Sequence, residues 1–318
     1  MATIDDLIHL SGYSRSTVFR FLAGKPVRDA ARDAIRTAIR ETGFKRGQGD
    51  QRDGDMLLVS VPEDFRGFRG FADVVEEIMV RAAERGIPIS FDEGQCAGKR
   101  VAALILGKSQ DQEDKERQRR TAAGVPCVLV NRYVEEDPAA SWVSVDFRAA
   151  AAEAIARLVA AGCRRVACYG ADEGRRVNRQ KLDGARRRAE EAGIGFTQID
   201  PSHMTLEVAC DRLLTGSDRV DGWLSLNDVD AMRVIGCAFR LGISVPAELS
   251  VIGMNDVEGA AYALPPITTV RIPFRECGVS AVDAALRLMD HPTEISVKII
   301  LRHRLIERGS CAPIQQKR

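Results

Sequence analysis

No stretch of this 318-residue chain approaches the run of about eighteen apolar residues that a membrane span needs, and its start lacks the marks of a secretory leader. A cytoplasmic protein is expected, with no membrane partner. Net charge is nearly absent too. Lys and Arg number 46 against 45 Asp and Glu, a balance of +1, which excludes a general polyanion binder. The eight cysteines contain no C-x-x-C, and the four histidines do not cluster with them. Several cysteines sit inside strand-like runs such as Val166-Ala-Cys-Tyr169, so buried reduced thiols are expected rather than disulfides or a metal site. Catalytic signatures are missing as well: no G-x-S-x-G, no Walker loop, no metal-spaced His/Cys set. A nucleotide cofactor would want a glycine fingerprint after the first strand. There the chain runs Pro62-Glu-Asp-Phe65, with acids where a pyrophosphate needs free amides. Neither an enzyme nor a bound cofactor is expected.

What is present begins with the first two dozen residues, which read as two short helices about a tight turn. Thr3 is placed to cap the first, with Asp5 and Asp6 in its first turn, where the helix dipole favours negative charge. Ile4, Leu7 and Ile8 form one apolar stripe, and Val18, Phe21 and Leu22 form another. Gly12 suits the positive φ of a sharp turn, and Ser14 suits the N-cap of the second helix. Arg15, Ser16, Phe19 and Arg20 share that helix's opposite face. Two helices across a glycine turn, the second showing cations to solvent, make a helix-turn-helix. Residues 1–46 hold nine Lys/Arg and five Asp/Glu, a local excess of +4 that suits phosphate contacts.

A third helix, with Ala31, Ile35, Ala38 and Ile39 on one stripe, completes a domain over 1–46. Residues 47–55 then read as a linker, since Lys45 to Asp55 holds no apolar residue. From Met56 to the end, strand-like runs alternate with helical ones, the sign of βαβ units and parallel sheets. That length exceeds one doubly wound sheet, so two Rossmann-like lobes are expected.

Ile4-Asp-Asp-Leu, Ser11-Gly-Tyr-Ser, Thr17-Val and Arg20-Phe-Leu resemble the opening of lactose-repressor family regulators. The resemblance extends through Val128-Leu-Val-Asn-Arg132, Ser144-Val-Asp146, Leu226-Asn-Asp228, Ser250-Val-Ile-Gly-Met-Asn-Asp256 and, most specifically, Leu264-Pro-Pro-Ile-Thr-Thr-Val-Arg-Ile-Pro273. It implies an all-α helix-turn-helix domain joined to an α/β core like that of periplasmic binding proteins, with two lobes linked by three crossovers. The crossovers are expected near Asp146, near Arg271–Pro273 and near 291–297. The first lobe would then hold about 56–146 and 274–294, and the second about 147–272 and 295–310.

The resemblance further implies a repressor that binds a double-stranded DNA operator as a homodimer and answers to a small, sugar-like effector between the lobes. Arg15, Ser16 and Arg20 match base-reading positions, while Ser14 and Thr17 look like phosphate contacts, and Thr3 is grouped with them. Phe19 stands where serine is usual; a thymine methyl and the loop at Gly24–Val27 are equally good partners for it. Asn131, Asp146, Lys181, Asn227, Asp228, Asn255 and Phe274 match effector-cleft positions. Asp228 reads equally well as a helix N-terminal residue with no ligand role, and Phe65 equally well as a ring-stacking residue or as ordinary core. The alternative is a solute-binding or sugar-sensing protein of the same fold without operator-specific regulation.

The chain also departs from the family. Its linker has no apolar wedge for the minor groove, so a hinge helix is expected to be absent. Asp92–Arg100 gives nine residues between two strands, too few for a helical crossover, so one helix of the first lobe is expected to be missing.

Overall fold

The computed structural model describes residues 4–22, 27–42, 54–62, 69–134, 136–170, 176–291 and 296–312. Thr3, Phe65 and most of the linker lie outside them. Three helices come first: α1 (Ile4–Ser11), α2 (Arg15–Leu22) and α3 (Asp29–Thr42). Their stripes meet in a small core of Ile4, Leu7, Val18, Ile35 and Ala38, each 2% exposed or less. Gly12 takes the turn at φ 69°.

Two six-stranded sheets follow. In chain order the elements of the first lobe are β1 (Asp55–Ser60), α4 (Arg69–Glu84), β2 (Ile89–Ser90), β3 (Arg100–Ile105), α5 (Gln110–Ala122), β4 (Cys127–Val130) and β5 (Ser141–Val145). The chain then passes to α6 (Phe147–Ala160), β6 (Arg165–Tyr169), α7 (Arg176–Glu191), β7 (Gly195–Ile199), α8 (Leu206–Thr215), β8 (Gly222–Ser225), α9 (Asp228–Arg240), β9 (Ser250–Asn255) and β10 (Thr268–Arg271). It ends with α10 (Phe274–Asp290), β11 (Lys298–Leu301) and β12 (Arg304–Ile306). The first sheet has the order β11-β5-β4-β3-β1-β2 and the second β12-β10-β9-β8-β6-β7. Every pairing is parallel except β10 with β12. Parallel strands lie between helical layers, which is why Ala102 to Ile105 of β3 are all buried.

Three crossovers join the lobes: at Asp146, at Ile272–Pro273 and at Arg302–His303. The third corrects the expected position near 291–297. Val297 is already tied to the first lobe, its carbonyl accepting from Trp142 N at 2.8 Å and its N–H donating to Ser141 Oγ at 3.0 Å. β11 therefore extends the first sheet beside β5, and 295–310 is split between the lobes. Asp55 likewise belongs to β1 rather than to the linker.

Between β2 and β3 the chain makes only a 3-10 turn at Glu93–Cys96, capped by Asp92 accepting from Gly94 N at 2.9 Å. A cavity of about 500 Å³ opens there, lined by Leu58, Cys96, Arg100, Arg120 and Met289 among others. The eight cysteines are free. Burial pushes the Cys163 and Cys168 thiols up to about 12, which leaves them as packing groups. No helix among the described residues is long and apolar enough to cross a membrane.

Candidate functional site

Two surfaces bring the candidate residues together. The first is α2. Ser14 caps it, its carbonyl accepting from Thr17 N at 2.9 Å and its hydroxyl lying 2.9 Å from Thr17 Oγ1 and 3.0 Å from Ser16 Oγ. Ser14, Ser16 and Arg20 are exposed, while Phe19 is half-buried against the three-helix core. Arg15 is not turned to solvent. Its guanidinium lies 2.8 Å from Glu77, 3.8 Å from Glu76 and 3.3 Å from Asp5, and Val80 of α4 completes the core of the three-helix unit.

The second surface lies between the lobes. Each crossover leaves from the carboxyl end of a strand, so both sheets turn those ends toward the junction, where open α/β sheets bind ligands. Asn131 follows β4 in the left-handed region at φ 59°, and Asn255 ends β9 at φ 109°. Asn131 Oδ1 and Asn255 Nδ2 are buried without a hydrogen-bond partner among the described residues. Lys181 of α7 is 4% exposed; its ammonium donates to Leu226 O at 2.9 Å and lies 5.7 Å from the centre of the Phe147 ring. Burial lowers its pKa to about 8. Phe274, 6% exposed, opens α10 just past the second crossover.

Other matched residues carry local structure. Asp146 caps α6, accepting from Ala149 N at 2.9 Å. Asn227 caps α9, with Oδ1 accepting from Asp230 N at 2.8 Å and Nδ2 donating to Asp230 Oδ2 at 2.7 Å. Asp228 is fully buried beneath the cleft. Its oxygens accept from Thr269 Oγ1 at 2.5 Å and Val257 N at 2.9 Å.

The geometry adds residues that no motif marked. Arg176 Nε, Gln180 Oε1 and Ser225 Oγ are also buried and unpartnered among the described residues. Gln180 and Arg176 lie one helical turn apart on α7, 5% and 8% exposed. Across the cleft Arg176 meets Glu136 at 3.4 Å and Asp114 at 3.8 Å, Arg148 donates to Tyr133 Oη at 3.0 Å, and Arg179 bonds Gln110. Arg132 and Glu113, both buried, pair at 2.8 Å. The sequence signals for these are slight: Arg132 closes the run Val128–Arg132, and Arg176, Arg179 and Gln180 lie within five residues of Lys181.

A three-helix unit ahead of two parallel lobes with three crossovers defines a DNA-binding regulator built on a periplasmic-binding-protein-like core. The comparisons agree. A family model described as a periplasmic binding protein-like domain matches residues 155–311. An HTH-type transcriptional regulator from the aml 5' region of Streptomyces limosus is 28% identical, over 96% of this chain and 93% of its own length. A solved complex of the transcriptional regulator CelR with cellobiose superposes with a TM-score of 0.70 at 25% identity, covering 98% of this chain and 100% of that one. The lac repressor dimer bound to operator and the anti-inducer ONPF has a TM-score of 0.71 at 20% identity, with 98% and 99% covered, a likeness of fold. Over nearly its whole length this chain is therefore similar to transcriptional regulators of this architecture.

Proposed function

We propose that this regulator is a cytoplasmic, non-enzymatic homodimeric repressor whose hold on its operator is set by a neutral, polyhydroxylated effector between the lobes. The observation that carries the effector reading is the set of orphaned polar atoms at the strand ends and on α7. Asn131 Oδ1 and Gln180 Oε1 can only accept, Asn255 Nδ2 and Arg176 Nε can only donate, and Ser225 Oγ can do either. Leaving each of these buried and unpaired costs about 1–3 kcal/mol. A ligand rich in hydroxyls, each both donor and acceptor, answers such a mixture. Arg132 and Arg176 already face carboxylates, which favours an uncharged ligand over a phosphorylated one. The cellobiose bound by CelR is of this class. For the dimer, support comes from Phe239, Tyr262 and Leu264, which are 87%, 79% and 88% exposed on the second lobe.

A thermal-shift screen of mono- and disaccharides beside their phosphates tests the effector class, since a specific ligand raises stability by mass action. Shifts confined to the phosphates would overturn it. With a ligand in hand, Lys181→Ala, Asn255→Ala and Gln180→Ala are each expected to weaken its affinity by roughly 1–3 kcal/mol. DNA affinity without ligand should not change. Calorimetry that finds an unchanged affinity removes that residue from the site.

Arg20→Ala is expected to lower affinity for the selected operator by ~1–3 kcal/mol and to relax sequence preference, because an exposed arginine on this helix face suits guanine. Equal losses on operator and random DNA would assign Arg20 to phosphate instead.

A further inference from the structure

α4 carries two buried residues that do not serve its own lobe alone. Val80, 3% exposed, packs into the core made by Ile4, Leu7, Val18, Ile35 and Ala38 of the three-helix unit. One turn earlier Glu77, 5% exposed, takes the Arg15 guanidinium at 2.8 Å. Glu76 and Asp5 stand on the same guanidinium at 3.8 and 3.3 Å, leaving the Arg15 side chain 20% exposed. An arginine so held cannot offer its fork to a base. We infer that this face of α4 is a docking site for the chain's own DNA-binding unit, on which Glu77 competes with operator DNA for Arg15. The inference rests on the reading of α2 as the helix that meets DNA.

A third residue sets how firmly Glu77 holds. Arg275, in the first turn of α10, reaches the same carboxylate oxygen, Glu77 Oε1, at 3.3 Å. Two cations share one acceptor, so each weakens the other's claim. One turn further along α10, Gly278 brings the two helices together: a Cβ there would meet Val74 O at 2.6 Å and Glu77 Cβ at 2.7 Å. Arg275 follows Phe274 directly, so the residue that shares Glu77 is bonded to a candidate residue of the effector cleft. Loss of Arg275 strengthens the docked contact, and loss of Glu77 abolishes it.

The opposite signs give the test. The intact protein selects a duplex from a random-sequence pool, and Kd for that duplex is read by fluorescence anisotropy without sugar. If the free unit is about a tenth of the population, Glu77→Gln tightens binding about tenfold, because apparent affinity scales with the competent fraction. Arg275→Gln weakens binding by a few-fold, and the double variant matches Glu77→Gln. Glu77→Gln no tighter than wild type, or both single variants shifting the same way, would overturn the inference. Arg275 is half-exposed, so its variant keeps the fold even if Glu77→Gln does not, and an unchanged Kd in Arg275→Gln overturns the inference by itself. If the pool yields no consensus, the reading as a sequence-specific regulator fails. The same ratios on random duplex at low salt then judge the docking contact separately.

Discussion

Gly184→Ala is expected to prevent folding of the second lobe or to cost several kcal/mol. The glycine lies where α7 crosses α6, and a Cβ built on it would stand 2.6 Å from the carbonyl carbon and Cα of Arg148, closer still to its oxygen. These are backbone atoms of a neighbouring helix, so no rotamer change relieves the clash; α6 and α7 must separate. Separation uncovers Ala150, Ala151, Ala154, Leu182 and Ala185, all buried at this contact. Overpacking a tight core costs about 1–3 kcal/mol when side chains alone adjust. A backbone clash should exceed that. It also displaces Lys181, so any variant that folds should bind effector poorly. The control is Gly236→Ala in α9, where a Cβ meets nothing within 4 Å. Relieved of glycine's entropy, that helix should gain roughly 0.5–1 kcal/mol. Urea denaturation of both variants decides. A Gly184→Ala protein as stable as wild type would mean that the α6–α7 packing described here is wrong.

Much of this architecture was legible in the residues, and what was not has a physical cause. Central strands announce themselves as unbroken apolar runs, as in Val101 to Ile105, because both their faces are covered. Edge strands do not. β7, Gly195–Ile199, alternates exposed and half-buried positions up to a single buried residue, Ile199, and β12 is three residues with no fully buried one. β11 shows the same ambiguity: Lys298-Ile-Ile-Leu301 reads as a strand, but nothing in its pattern says which sheet it joins. Its ladder to β5 settles that, and moves the third crossover.

Of the residues proposed for the cleft, family positions mark Asn131, Lys181 and Asn255 in the sequence. Gln180 and Arg176 were not. Gln180 adjoins Lys181, about 100° around a helix, and adjacent helical residues are both buried only where a neighbour covers a second face. The opposing lobe meets α7 through Arg176 and Arg179, a second covered face that no single-helix pattern encodes. The hold of Glu77 on Arg15 was hidden for a related reason: it joins two units far apart in the chain, and a lone acid in an amphipathic helix carries no sign of its partner.

Asp228 separates an effector role from a structural one, and here the sharpest contrast lies between two substitutions. Asp228→Ala is expected to destabilise the second lobe by ~2–4 kcal/mol, since it leaves the buried Thr269 Oγ1 and the half-buried Val257 N without their acceptor. Asp228→Asn should cost little. Its Oδ1 can still accept from Val257, and its amide can donate to the Thr269 hydroxyl, which turns to accept. The two differ from wild type in pH dependence as well. Burial pushes the Asp228 carboxyl up to about 6, against the hydrogen bonds from Thr269 and Val257 that hold it down. In the unfolded chain it titrates near 3.9, so between about pH 4 and 6 the folded protein binds a proton that the unfolded chain does not. This contribution is fully present below the unfolded value and is lost as pH rises through the folded one, a decline of roughly 3 kcal/mol at most. Asp228→Asn removes the titration, so wild type should lose stability relative to the Asn variant from pH 4 to pH 6 and run parallel to it above. Urea midpoints of the three proteins across that range read both effects. Equal losses in the Ala and Asn variants would show that the negative charge itself is required. An Asn variant that folds normally, keeps the wild-type slope and no longer binds effector would place Asp228 against the ligand instead of beneath it.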